Sequence, residues 1–142
     1  MLQLDLASDY AIRVAVSLAM HGGSADPAAI KNEMGLHTFQ FQAAVSALRD
    51  AGIVDVERRE LILLRDPRTL SLLDIVTAVE GEIAINHCFA PGRFCSRDAV
   101  DRCSLRKFYQ EFQSGISGML QNKHIQDLVE ESEPGEEKGP RR

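Results

Sequence analysis

The tightest constraint on the fold is the order of apolar patterns in the first half of the chain: three helix-type repeats, each closed by glycine, followed directly by two strand-type runs. Ala11, Val14, Ala15 and Leu18 recur at three- and four-residue steps, so an amphipathic first helix is predicted, with Ser8 as its cap and Gly22-Gly23 as its stop. Asp26 and Pro27 read as the cap and first residue of a second helix, only two turns long, because Gly35 follows Met34. Thr38 is expected to cap a third, in which Phe41, Ala44, Val45 and Leu48 share a face until Gly52 permits a left-handed end. Ile53-Val54-Asp55-Val56 and Leu61-Ile62-Leu63-Leu64 then flank the charged tip Glu57-Arg58-Arg59-Glu60, the pattern of a β-hairpin. Three helices and a hairpin predict a winged helix-turn-helix, mainly α with a small β-hairpin wing.

Ser71 and Asp74 are spaced as a capping box, opening a fourth helix through Ile75, Val76 and Val79 to Gly81. Leu105, Phe108, Tyr109, Phe112, Ile116 and Met119 form an apolar stripe on a further helix. Such a stripe must be covered, either by its own domain or by a symmetry mate. The mate is the preferred reading, because the winged-helix half has apolar faces enough to close its own core and two-fold dimers are the commonest assembly. The expected organisation is a winged-helix domain over 1–81, a cysteine loop over 82–104, a dimerisation helix region over 105–130, and a tail over 131–142, rich in glutamate, glycine and proline and expected to be disordered.

The chain of 142 residues has no apolar run long enough to span a membrane and no signal-peptide pattern, so a cytoplasmic location is expected. Three cysteines cannot all pair, which leaves thiols free for metal in a reducing compartment. The net charge of −5 runs against nucleic-acid binding, and the excess is local: up to Leu64 there are five lysines and arginines against eight acidic residues. An enzyme is not expected. His87-Cys88 is the only adjacent histidine and cysteine, no glycine-rich phosphate loop occurs, and little chain is left for a substrate cleft.

Cys88, Cys95 and Cys103 fall within sixteen residues, in a loop with Pro91 and Gly92 and among Arg93, Arg97, Arg102, Arg106 and Lys107. Thiolate sulfur is the ligand of choice for iron–sulfur clusters and zinc, and the arginines would offset the negative charge of a thiolate-bound group. The spacing is not that of paired Cys-x-x-Cys knuckles. Cysteines also serve as small apolar residues, but their concentration in one loop makes metal binding the preferred reading.

Ser8-Asp9-Tyr10-Ala11-Ile12-Arg13, Leu48-Arg49-Asp50-Ala51-Gly52-Ile53-Val54, Ser71-Leu72-Leu73-Asp74-Ile75-Val76 and the cysteine loop occur in this order, and the combination resembles the IscR/NsrR family over residues 2–128. The resemblance implies a homodimeric transcription regulator carrying a 2Fe–2S or 4Fe–4S cluster on Cys88, Cys95 and Cys103 and sensing iron–sulfur status, nitric oxide or redox state. It also frames the fourth ligand. The histidine that follows the last cysteine in one branch is replaced here by Ser104, Leu105 and Arg106. Asp9 matches the acidic first-helix ligand that the partner chain supplies in the nitric-oxide-sensing branch, and an oxygen ligand would be labile, as a sensor requires. Asp9 has a second reading, as an acidic residue complementing a helix dipole. His87 adjoins Cys88 too closely to share an ion comfortably, and His124 reads as a surface residue at a helix start.

In this family the third helix enters the major groove and the wing meets the minor groove. Here Thr38, Gln40 and Gln42 are the polar candidates on that helix, Arg49 is its first basic residue, and the wing offers Arg58 and Arg59 without a glycine pair. Two readings follow: a regulator that binds double-stranded promoter DNA, which is preferred, or a cluster- or zinc-binding winged-helix module for protein interaction.

Overall fold

The computed structural model describes residues 2–89, 95 and 102–132. The expected tail beyond Ser132 and most of the loop between Phe89 and Arg102, with Gly92, Arg93 and Arg97, lie outside the described residues.

Helix α1 (Leu6–Met20) starts earlier than expected: Asp5 is its cap, accepting the Ala7 N–H at 2.7 Å. Ser8 therefore lies inside the first turn, wholly buried, and its hydroxyl has no partner. The face predicted from Ala11, Val14, Ala15 and Leu18 is completely buried. Helix α2 (Pro27–Met34) begins at Pro27 and ends on Gly35 in the left-handed region, as the Asp26-Pro27 and Gly35 signals predicted, although the Asp26 side chain makes no capping bond. Helix α3 (Thr38–Asp50) is capped by His37 rather than Thr38, a shift of one residue, and Gly52 turns the chain out of it at φ +71°.

The hairpin forms from β2 (Val54–Glu57) and β3 (Glu60–Leu63), antiparallel and in register from Val54 opposite Leu63 to Glu57 opposite Glu60. A third strand, β1 (Ser24–Ala25), pairs on the other side of β3, so the sheet runs β1-β3-β2. Two residues carry no strand signal of their own. They are placed by the turn after α1, where Gly22 and Gly23 both have positive φ and the Gly23 carbonyl accepts the Leu63 N–H at 2.8 Å.

Helix α4 (Leu72–Glu80) begins at the capping box read from sequence: Ser71 Oγ accepts the Asp74 N–H at 3.0 Å and the Asp74 carboxylate accepts the Ser71 N–H at 3.1 Å. A single 3₁₀ turn (His87–Phe89) precedes α5 (Ser104–Asn122), which carries the apolar stripe. The chain then reverses. Leu72 N–H binds the Lys123 carbonyl and Ile125 N–H binds that of Leu70, both at 2.9 Å, which lays α6 (Ile125–Glu131) against α1. Ile125 thereby joins Leu18, Ile30, Leu48, Leu61, Leu70 and Ile75 in one core of fully buried side chains. Each such burial is worth about 1.5–3 kcal/mol against an exposed side chain.

Candidate thiolate site and nucleic-acid interface

None of the three cysteines is joined in a disulfide, and each is half-buried. Cys103 is the cap of α5: its Sγ accepts the Arg106 N–H at 3.4 Å, so it stands at the positive end of a 19-residue helix, where an anionic group is favoured. Cys88 sits in the 3₁₀ turn with Asn86 Nδ2 at 3.9 Å from its Sγ. The two segments are clasped together, because the Arg106 guanidinium lies 5.1 Å from the centre of the Phe89 ring. A further tie runs from Ile85 N–H to Gln113 Oε1, at 3.2 Å. Thus the residues flanking Cys88 pack on the first three turns of the helix that Cys103 caps. Among the described residues no three His, Cys, Asp or Glu side chains converge as a metal site.

Asp9 lies in the first turn of α1, where its carboxylate meets Arg13 at 2.7 Å, one helical turn on. Arg13 is shared. Its second nitrogen donates to the Met34 carbonyl at the end of α2 at 3.1 Å, and its guanidinium lies over the Tyr10 ring. The Tyr10 hydroxyl in turn accepts the N–H of His37, the cap of α3, at 3.2 Å. The start of α1 is therefore bonded to both ends of the turn between α2 and α3. Sequence reasoning singled out Asp9 and missed this role for Tyr10 and Arg13, although the four-residue Asp-to-Arg spacing was visible. His124 caps α6, its N–H bonded to Asp127 Oδ2 at 2.8 Å, while His87 falls within the 3₁₀ turn.

On α3 the buried residues are Phe41, Ala44 and Leu48, and at about 100° per residue the opposite face carries Phe39, Ala43 and Ser46, with Gln42 beside them. Gln42 thus faces outward. Thr38 and Gln40 flank this face on opposite sides, and Thr38 Oγ1 accepts from Lys31 Nζ at 2.8 Å. Lys31, on α2, supplies the cation that α3 lacks at its start; only tertiary structure brings it there. Arg49 reaches across to Asp55 on β2 at 3.3 Å.

At the wing tip Arg58 and Arg59 are the two central residues of the turn, with φ of +52° and +68°. This mirror-image turn matches the twist of a two-residue hairpin, but it is normally built from glycine or asparagine. Two arginines held there cost roughly 1–2 kcal/mol each.

Helix α5 buries none of its residues, and Leu105, Phe108, Phe112 and Met119 are exposed. Phe108 and Phe112 stack at 6.1 Å along it. Beside the helix an apolar pocket of about 530 Å³ opens among Leu2, Leu4, Val76, Ile83, Ile116 and Leu120.

The fold is shared with solved regulators. CymR, described as the global cysteine regulator of B. subtilis, is 21% identical, with a TM-score of 0.76 over 94% of this chain and all of its own. The IscR of T. potens is 20% identical with a TM-score of 0.71, covering 99% of this chain and 94% of that one. The oxidized form of Staphylococcus aureus CymR is 19% identical, with a TM-score of 0.71 over 94% of this chain and all of its own. No curated protein sequence matches the chain. The model of a family described as Rrf2, iron-dependent transcriptional regulator, matches residues 4–131. By that match, which spans almost every described element, the chain belongs to the Rrf2 family, whose members are winged-helix transcriptional regulators and not enzymes.

Proposed function

We propose that this protein is a cytoplasmic, homodimeric regulator that binds promoter DNA and is switched by an iron–sulfur cluster on Cys88, Cys95 and Cys103, with Asp9 of the partner chain as the fourth donor. The observation that carries the reading is the seating of the thiols: Cys103 caps α5 while the Phe89–Arg106 contact holds the Cys88 turn against the same helix end. Three half-buried sulfurs and the positive end of a helix suit an anionic, thiolate-bound cluster. When bound, the cluster supplies an iron centre open to nitric oxide or to a change of redox state.

The protein's part in signalling follows from Arg13. Were the Asp9 carboxylate to serve as a metal donor, Arg13 would lose its ion pair and keep the Met34 carbonyl and the Tyr10 ring, and the turn between α2 and α3 would feel the change through two existing bonds. Such a switch biases two arrangements of one dimer. The exposed stripe of α5 and the adjoining pocket supply an apolar surface for the mate. Gln42 faces outward to read base edges, Thr38 and Arg49 lie on its side of the helix and Gln40 on the other, and Arg58 and Arg59 extend the wing toward the neighbouring groove.

The acidic excess of the first 64 residues favours a second reading, a metal-carrying module that binds another protein. Anaerobic purification separates the readings. Brown protein with equal iron and sulfide, bleached by nitric oxide and colourless in Cys103→Ala, is expected, together with salt-sensitive binding to a duplex. Zinc or no metal overturns the cluster; iron and sulfide without duplex binding in either form favours the second reading.

A further inference from the structure

We propose that Phe39 is a specificity-determining residue that reads the C5-methyl group of a thymine in the major groove. The inference rests on the DNA-binding reading above and adds to it the one large apolar side chain at the tip of the reading helix. Phe39 is 78% exposed, in the first turn of α3. Exposure of a single aromatic is ordinary in itself. Its position decides the matter, because the core side of α3 is Phe41, Ala44 and Leu48, and Phe39 stands on the opposite side. Along that outward line the next residues, Ala43 and Ser46, are small, so over the first three turns Phe39 and the neighbouring Gln42 project farthest, with Asp50 on the same line at the last residue of the helix.

The flanks are built for a phosphate backbone. Lys31 Nζ is tied to Thr38 Oγ1, on the residue before Phe39, and lies over the Phe41 ring, while the first N–H groups of α3 give the same end a partial positive charge. A benzene ring can make no hydrogen bond to a base edge, and thymine is the one base that offers an apolar group in the major groove. Phe39 and Gln42 lie about 4.5 Å apart along the helix axis, close to the step between base pairs, so each meets a different pair. Burial of the ring against the methyl returns part of the hydrophobic free energy that exposure of Phe39 forgoes.

The test selects duplexes from a random library with the full-length protein, in iron-loaded and metal-free forms, then replaces each thymine of the selected half-site by uracil. Wild-type protein is expected to lose about 5-fold or more in affinity at one thymine. Phe39→Ala should bind the thymine duplex as weakly as wild type binds the uracil one, and should show no further loss with uracil. Phe39→Leu, which keeps an apolar side chain, should retain most of the discrimination. Circular dichroism of Phe39→Ala is expected to match wild type, since the ring is outside the core. If Phe39→Ala binds selected duplexes like wild type, or keeps the full uracil penalty, the assignment of Phe39 is wrong while DNA binding stands. If neither form selects any duplex, DNA binding itself fails and the assignment with it.

Discussion

The winged-helix half and the α5 segment both carry apolar stripes at helical spacing, yet one is closed and the other open. In α1, α3 and α4 the predicted apolar faces are buried in or packed against a single core, whereas the stripe of α5, just as regular, leaves Met119 77% and Phe108 56% exposed. Periodicity reports that a helix has an apolar face; it does not report what covers it. The boundary between the closed and open regions also departs from chain order. Helix α6 lies beyond α5 in sequence but belongs to the closed half, because Ile125 fills the space beside α1.

The largest expected effect tests that boundary. Ile125→Ala removes a wholly buried side chain and should destabilise the protein by about 2–5 kcal/mol in urea unfolding. Met119→Ala, only six residues earlier, should leave the unfolding free energy of the monomer within about 0.5 kcal/mol of wild type. Equal losses at the two positions would mean that α5 is covered within its own chain.

A charge placed in the open stripe sharpens the contrast from the other side. Phe112→Glu should leave the circular dichroism unchanged and raise the dimer dissociation constant at least about tenfold by sedimentation, as expected when a carboxylate must lose its water in an apolar interface. A monomeric wild type, or an unaffected dimer, would remove α5 as the interface.

These contrasts also separate what was legible in the sequence from what was not. The α1 face, the Asp26-Pro27 start, the Gly52 turn, the hairpin and the Ser71–Asp74 capping box were readable because each depends on residues within a turn or two of one another. Ser8 and Thr38 were misplaced as caps because the true caps, Asp5 and His37, precede the apolar periodicity used to find them. Strand β1 and the docking of α6 depend on partners nearly forty and over fifty residues away, where no local pattern points. At the candidate site, composition and order pointed to the three cysteines, and the family resemblance alone to Asp9. The Arg13 and Tyr10 bonds to the α2–α3 turn, the delivery of Lys31 to Thr38 and the left-handed arginines of the wing arise only in three dimensions.

Within the closed region, the join between α4 and α6 offers a smaller effect. Ser71 closes the capping box of α4 and also pairs, through the backbone, with His124 ahead of α6. Ser71→Ala removes only the first of these and should cost about 0.5–2 kcal/mol, near the value for loss of a cap. A loss approaching that of Ile125→Ala would show that the α6 contact is weakened as well, and that α4 and α6 dock as one unit.

The smallest effect lies at the turn that joins the wing to α4, on the closed side. Asp66 Oδ1 accepts the Arg68 N–H at 2.9 Å, and this bond, with further help from the Arg68 guanidinium, holds the Asp66 carboxyl below its ordinary value of 3.8 although slight desolvation opposes the shift. A carboxyl with a lower pKa in the folded state than in the unfolded chain stabilises the fold above the unfolded value, and the contribution is lost as pH falls through the folded value. The acid window below about pH 4 is therefore where Asp66 acts. Asp66→Asn keeps an oxygen for the Arg68 N–H but cannot titrate, so its thermal midpoint should fall slightly less than that of wild type between pH 7 and pH 3. The group is solvent-exposed, which keeps the difference small. Identical falls in the two proteins would show that water screens the Arg68 contact completely, and that the α6 backbone bond to the Pro67 carbonyl holds this turn without the carboxylate.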